Sequence, residues 1–193
     1  ITIPNVVVNI YMCAFAGCTS LTGIQLPEKL ESIENEDETH QGAFENCTEL
    51  DNVKIPDNCK KIGKNSFKNC KKLKNMKLSK NGKKIGKDEF KNCESLESIE
   101  IPETVDEIED EAFNNCKNLQ NAYFDGTPPS QYGNNVFDET GNGFRIRHRN
   151  GQPGWTNPWN GVETEEYSDI VEKVKCPQTN INPDKYYYPQ KLE

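Results

Sequence analysis

Apolar residues in this 193-residue chain fall into columns rather than blocks. Phenylalanine recurs at Phe15, Phe44, Phe67, Phe90 and Phe113, in steps of 29, 23, 23 and 23 residues. Cysteine follows each by three residues, at Cys18, Cys47, Cys70, Cys93 and Cys116, and leucine comes three later, at Leu21, Leu50, Leu73, Leu96 and Leu119. An alternating apolar pair then appears: Ile24/Leu26, Val53/Ile55, Met76/Leu78, Ile99/Ile101 and Ala122/Phe124. Pro27, Pro56 and Pro102 close three of these pairs, and Ser79 takes the place in the fourth. Isoleucine lies seven residues past the second member, at Ile33, Ile62, Ile85 and Ile108.

The alternation within each unit has the period of a half-buried strand. Proline cannot donate to the next ladder position, so it ends the strand after three or four residues. The remaining dozen residues return through a second apolar corner, too short for a long helix. A single unit cannot hide its apolar face alone, whereas stacked units bury a continuous ladder. The expected fold is therefore an α/β-type solenoid, mostly β and loop, with one parallel sheet of six or seven short strands and short convex-side turns or helices. Asparagines at the corners, as in Asn69-Cys70, Asn92-Cys93 and Asn115-Cys116, suit tight turns and side-chain bonds to the backbone. The longer first step places a surface loop at Asn35 to His40 on the convex side.

The repeat divides the chain. Residues 1–125 read as the array, beginning inside a repeat because Ile1-Thr2-Ile3-Pro4 already resembles a strand end. Residues 126–161 read as a capping segment, with Phe144 to Arg147 as a closing strand and Trp155 and Trp159 as a lid. Residues 162–193 show no repeat and read as a linker or an edge-packed tail.

Composition sharpens this picture. Leu, Ile, Val and Phe account for only 40 residues, close to the level at which a charged chain stays disordered. Stacking lets so few aliphatics suffice, since each coil contributes inward side chains worth about 1.5–3 kcal/mol apiece when large. The longest aliphatic run, Val6-Val7-Val8, spans no bilayer. No basic stretch precedes an apolar run at the N-terminus, so no signal peptide is read here. A net charge of −8 argues against general nucleic-acid binding.

The unit Phe-x-x-Cys-x-x-Leu-x-x-Ile-x-Ile-Pro-x-x-Val-x-x-Ile-Gly-x-x-Ala resembles the BspA-like leucine-rich repeat family. The likeness covers about residues 1 to 161, where Gly126-Thr127-Pro128-Pro129, Gly154-Trp155 and Trp159-Asn160-Gly161 are similar to that family's terminal segment. More widespread leucine-rich repeats differ, because here the cysteine precedes the leucine. The resemblance implies a right-handed-type leucine-rich solenoid in a surface-exposed or secreted protein. It also implies adhesion or protein recognition, with host matrix proteins among the family's ligands, and no catalytic residue or cofactor.

Eight cysteines invite a disulfide framework, yet five share one column with Phe and Leu and a sixth, Cys59, stands in the column of Leu30 and Val105. These read as buried thiols used as small hydrophobes. Cys13 and Cys176 lie outside the columns and are the candidates for a reactive or paired thiol. Metal binding finds no support: there is no Cys-x-x-Cys, and His40 and His148 are the only histidines. No glycine-rich phosphate loop or nucleophile elbow occurs, so an enzyme is not expected. Asn46-Cys47-Thr48 matches a glycosylation sequon but sits in the core column.

Charge is segregated. Residues 60–91 hold thirteen lysines against Asp88 and Glu89, a balance of +11. Residues 28–51 hold nine acids against Lys29, and residues 94–111 hold nine acids and no base. Side chains flanking the inward pairs point out of the sheet. Gln25, Lys54, Lys74, Asn75, Lys77, Glu97, Glu100 and Tyr123 are thus the candidate ligand-binding residues on the concave face. Their variety favours recognition of a host or extracellular protein or an anionic glycan. The alternative is a structural spacer carrying another functional domain.

Overall fold

The computed structural model describes residues 1–34 and 39–168. The acidic loop at Asn35 to Glu38, Cys176 and the tail from residue 169 lie outside the described residues. Twelve short strands occur in the described part. In chain order they are β1 (Asn9–Tyr11), β2 (Ser32–Glu34), β3 (Asn52–Lys54), β4 (Lys61–Ile62), β5 (Asn75–Lys77) and β6 (Lys84–Ile85), then β7 (Ser98–Ile101), β8 (Glu107–Ile108), β9 (Asn121–Phe124), β10 (Gln131–Tyr132), β11 (Arg145–Arg149) and β12 (Thr164–Tyr167). No helix occurs among the described residues: of the turns or helices allowed on the convex side, the chain uses turns and a second ladder, in a solenoid that is mostly β and loop as expected.

Every strand pairing is parallel, as one-way coiling demands. A six-stranded sheet runs β3-β5-β7-β9-β11-β12, and on the return side β1-β2-β4 and β6-β8-β10 form two further ladders. Partners sit one coil apart, as in Asn52↔Asn75, Val53↔Met76 and Ile99↔Ala122. Along β7 the burial alternates strictly, with Ile99 and Ile101 inside and Ser98 and Glu100 outside. The expected parallel sheet is present, and its last strand comes from beyond the array: Thr164 to Tyr167 extend the edge, with Tyr167 buried.

Three columns explain the repeated residues. Phe15, Phe44, Phe67, Phe90, Phe113 and Phe137 stack face to face, with neighbouring centroids 5.1–5.6 Å apart. Beside them each cysteine thiol donates to a phenylalanine carbonyl of the preceding coil: Cys47 Sγ to Phe15 O, Cys70 to Phe44 O, Cys93 to Phe67 O and Cys116 to Phe90 O, at 3.1–3.2 Å. A thiol fills the apolar column and satisfies one carbonyl, which neither alanine nor valine can do. Burial pushes the Cys47 thiol up to about 11 and the Cys116 thiol up to about 12. Cys18, expected in the same buried column, is exposed, because no described coil covers it.

The third column is an asparagine ladder. Asn46, Asn69, Asn92 and Asn115 all adopt left-handed backbone conformations, with φ of 59–63°. Asparagine tolerates that region far better than most residues. Their amides bond one another rather than the backbone, correcting the sequence-based expectation. Asn69 Nδ2 donates to Asn46 Oδ1, Asn92 to Asn69 and Asn115 to Asn92, at 2.6–2.8 Å. Asn46, the residue of the sequon, is therefore a rung of the ladder.

At the far end the two tryptophans act on the last inward residues. Trp155 stacks on the buried His148 at 5.0 Å and meets Phe124 edge-on at 5.1 Å, while its Nε1 donates to Gly126 O. Trp159 packs against Trp155 and Tyr132.

Candidate binding face

The outward face of the six-stranded sheet carries most of the residues selected from sequence. Register aligns Lys54 with Lys77, Lys77 with Glu100 and Glu100 with Tyr123. Gln25 is exposed one coil before Lys54 and bridges to Thr2. Asn75 occupies the first position of β5, opposite Asn52. Lys74 and Glu97 are exposed but precede their strands by one residue, so they form a neighbouring row at the entrance of the sheet with Asp51 and Gln120.

The row continues further than sequence reasoning took it. Arg147 aligns with Tyr123, and Glu165 with Arg147. Arg147 Nε donates to Asn121 Oδ1 at 2.8 Å, and its guanidinium lies 3.2 Å from Glu165. Tyr167 packs edge-on against Tyr123 at 5.5 Å, and its hydroxyl donates to Asp125 at 2.7 Å, beside Arg149. The signal for Arg145, Arg147 and Arg149 was legible in the alternation of Arg145-Ile146-Arg147-His148-Arg149. Nothing comparable marked β12.

Electrostatics on this molecule are largely settled between coils. Lys72 reaches Glu49 at 2.6 Å, Lys71 reaches Glu94 at 3.3 Å, and Lys84 reaches Glu107 and Glu109 at 2.9 and 2.7 Å. Lys68 pairs with Asp88 at 2.8 Å, and Lys91 lies against Asp88 and Glu111. The basic and acidic bands therefore bond to each other along the stack. Lys54 is only 3.6 Å from Glu28, and both are well exposed, a geometry worth little in water. Lys74 and Lys77 have no ion partner among the described residues.

The return face holds an open depression of about 340 Å³ lined by Lys64, Lys87, Glu107, Glu109, Gln131 and Tyr132. It lies over the ladder of β6, β8 and β10, where Lys84 already bonds two of the acids. No group of three or more His, Cys, Asp or Glu side chains is arranged to hold a metal among the described residues. None of the described helices is long and apolar enough to cross a membrane, since the described residues hold no helix.

Solved structures share this architecture. A leucine-rich repeat protein from Bacteroides ovatus ATCC 8483 superposes with a TM-score of 0.63 at 24% identity, over 86% of this chain and 44% of its own. The T. pallidum leucine-rich repeat protein gives 0.63 at 24%, over 77% and 72%. A leucine rich cell surface protein from Faecalibacterium prausnitzii A2-165 gives 0.56 at 27%, over 75% and 35%. The chain thus spans less than half the length of the first and third of these. No curated protein matches the sequence. The family described as BspA type leucine rich repeat region matches residues 1–36 and 37–147 in six copies, and with the stacked coils now described, the chain belongs to that family.

Proposed function

We propose that this solenoid is a non-enzymatic recognition module of a cell-surface or secreted protein, binding its ligand across the outward face of the six-stranded sheet. The observation that carries the reading is the row Gln25, Lys54, Lys77, Glu100, Tyr123: one outward position per coil, exposed in the first four and half-buried at Tyr123, held in strict register, with a different chemistry at almost every step. A purely mechanical repeat has no use for such variety at positions where packing makes no demand. The F. prausnitzii protein with this fold is described as a cell surface protein, which supports the location.

The ligand is acidic where it meets Lys54, Lys74 and Lys77, with Asn75 beside them, and offers a donor or cation opposite Glu97 and Glu100. An extended protein segment or an anionic glycan fits a row of coils spaced about 4.8 Å apart. The spacer reading draws on a different observation, the phenylalanine stack and asparagine ladder that pass through successive coils and stiffen the rod.

The test is a pull-down from extracellular matrix and mucin, at low and high salt, followed by a triple Lys54→Glu, Lys74→Glu, Lys77→Glu variant. Salt-sensitive capture that the triple variant loses supports recognition at this face. Capture that the variant retains, with its circular dichroism unchanged, removes the face as the site. Absence of any capture favours the spacer.

A further inference from the structure

Four lysines follow one another at three-residue steps around a single coil. Lys74 and Lys77 lie at β5, Lys80 in the turn after it, and Lys83 at the entry to β6. All four are exposed, and none has an ion partner among the described residues. The next coil carries an acid at every matching place: Glu97, Glu100, Glu103 and Asp106, all exposed. Register fixes the match, since Lys77 pairs with Glu100 across β5 and β7, and Asp106 N donates to Lys83 O at 3.0 Å. Two tracks of opposite charge therefore run side by side, about 4.8 Å apart.

Elsewhere on the stack, acids and lysines one coil apart close into bonds, as Lys72 does with Glu49 and Lys84 with Glu107. Along these tracks the lysines stay open to solvent. The preceding coil has no such pattern, because its corresponding residues, Asp51, Lys54, Asp57 and Lys60, mix the two signs.

We propose that the paired tracks are the surface through which two copies of this chain form a two-fold dimer. Rotation about an axis that runs along the tracks, midway between them, lays each copy's lysines on the other's acids. Because the tracks are in register, one operation matches them all: Lys77 faces Glu100 of the second copy, and Lys80 faces its Glu103. An axis across the tracks would instead set lysine on lysine.

The chain turns a corner at Lys80, so contact centres on Lys77 and Lys80 with Glu100 and Glu103. Beside that corner an open cleft of about 470 Å³, lined by Lys80, Glu103, Asp125 and Arg149 among others, leaves room for the second copy's side chains. A second copy meets both tracks with the opposite charge, whereas an anionic ligand engages the lysine track alone, and the two compete for Lys77 and Glu100. Asn81 and Gly82 separate Lys80 from Lys83, and no exposed apolar anchor interrupts the tracks. The dimer is accordingly small, polar and salt-labile, at the weak end of specific interfaces.

Sedimentation equilibrium of the chain at low and high salt tests the proposal, with two variants: Lys77→Glu/Lys80→Glu and Glu100→Lys/Glu103→Lys. The average mass of the unaltered chain should rise toward two copies with concentration at low salt and fall back to one at high salt. Each variant alone should associate more than about tenfold less strongly. An equimolar mixture of the two should associate again, since one then carries two acidic tracks and the other two basic ones. A chain that stays monomeric at low salt, a variant that still self-associates, or a mixture that does not associate would each overturn the proposal. Circular dichroism of both variants confirms that these exposed substitutions leave the fold intact.

Discussion

Glu139 lies one coil beyond Asn115, in the left-handed backbone position that asparagine fills in the four preceding coils, with φ of 56°. The alignment follows from Asn115 N, which donates to Asp138 O just as Asn92 N donates to Asn114 O. A carboxylate offers no amide donor, so the ladder stops there and Asn115 Oδ1 is left buried without a partner.

Glu139→Asn should extend the ladder by one rung and relieve that oxygen. The expected gain is about 1 kcal/mol, the net worth of a typical hydrogen bond. The guanidinium midpoint should rise with the slope unchanged. The complementary loss comes from Asn92→Gly, which keeps the left-handed backbone accessible but removes the amide from the middle of the ladder. It should cost about 1–3 kcal/mol, because Asn69 and Asn115 both lose a partner. A neutral Asn92→Gly would mean that the asparagines serve only the turn.

Phe90 sits fully buried between Phe67 at 5.6 Å and Phe113 at 5.2 Å. Phe90→Ala should destabilise by about 3–5 kcal/mol through lost burial and the cavity left behind. Calorimetry that found the variant as stable as the parent would contradict the stack.

Glu89 is a carboxyl buried completely beside a void of about 20 Å³, with Oε2 accepting from Gly86 N at 2.7 Å and Oε1 unpartnered. Burial holds its pKa well above the ordinary carboxylate value, the Gly86 bond opposes the rise, and the Glu109 charge adds to it. Cys59, Lys61 and Lys84 line the same void. A carboxyl raised in the folded state holds its proton there while the unfolded chain releases it. Stability therefore declines as pH rises from the unfolded value of about 4.3 through the folded one. Glu89→Gln keeps the acceptor for Gly86 and removes the charge. It should stabilise by about 1–3 kcal/mol at pH 8 and change little at pH 4. Equal effects at both pH values would show that Glu89 is not the group responsible.

Thiol labelling separates the cysteines by depth. Cys70, Cys93 and Cys116 are fully buried, and burial raises each thiol far above the usual range, to about 12 for Cys116. Cys13 and Cys18 are exposed. At pH 8 the folded chain should label at these two and leave the three buried thiols untouched until denaturant is added. Rapid labelling of Cys93 in the folded chain would place it outside the core.

The repeat made the core readable because each column is sampled five times. One Phe could serve anywhere, whereas Phe44, Phe67, Phe90 and Phe113 at equal steps can only be a stack. Tyr167 shows the opposite case: a buried aromatic on β12, with no copy elsewhere to reveal its register. Orientation was harder to read than position. The asparagines were recognisable as turn residues, but whether their amides would reach the backbone or one another depends on the spacing between coils. The lysine band was likewise visible as composition. Which lysines close onto acids, like Lys72 and Lys84, and which stay open, like Lys77 and Lys80, is decided by side-chain reach across the stack.

Pairing at a constant step of 23 residues, as between Asn69 and Asn92 or Lys84 and Glu107, has a kinetic consequence. Loop-closure entropy depends on the length of chain between the groups that meet. Here that length is 23 residues for the central coils and does not grow with the number of coils stacked. Once one pair of coils has formed, the next needs to search only its own 23 residues against a ready-made edge. Folding should therefore spread as a zipper from a local nucleus, with a rate set by that first pair of coils rather than by the size of the protein.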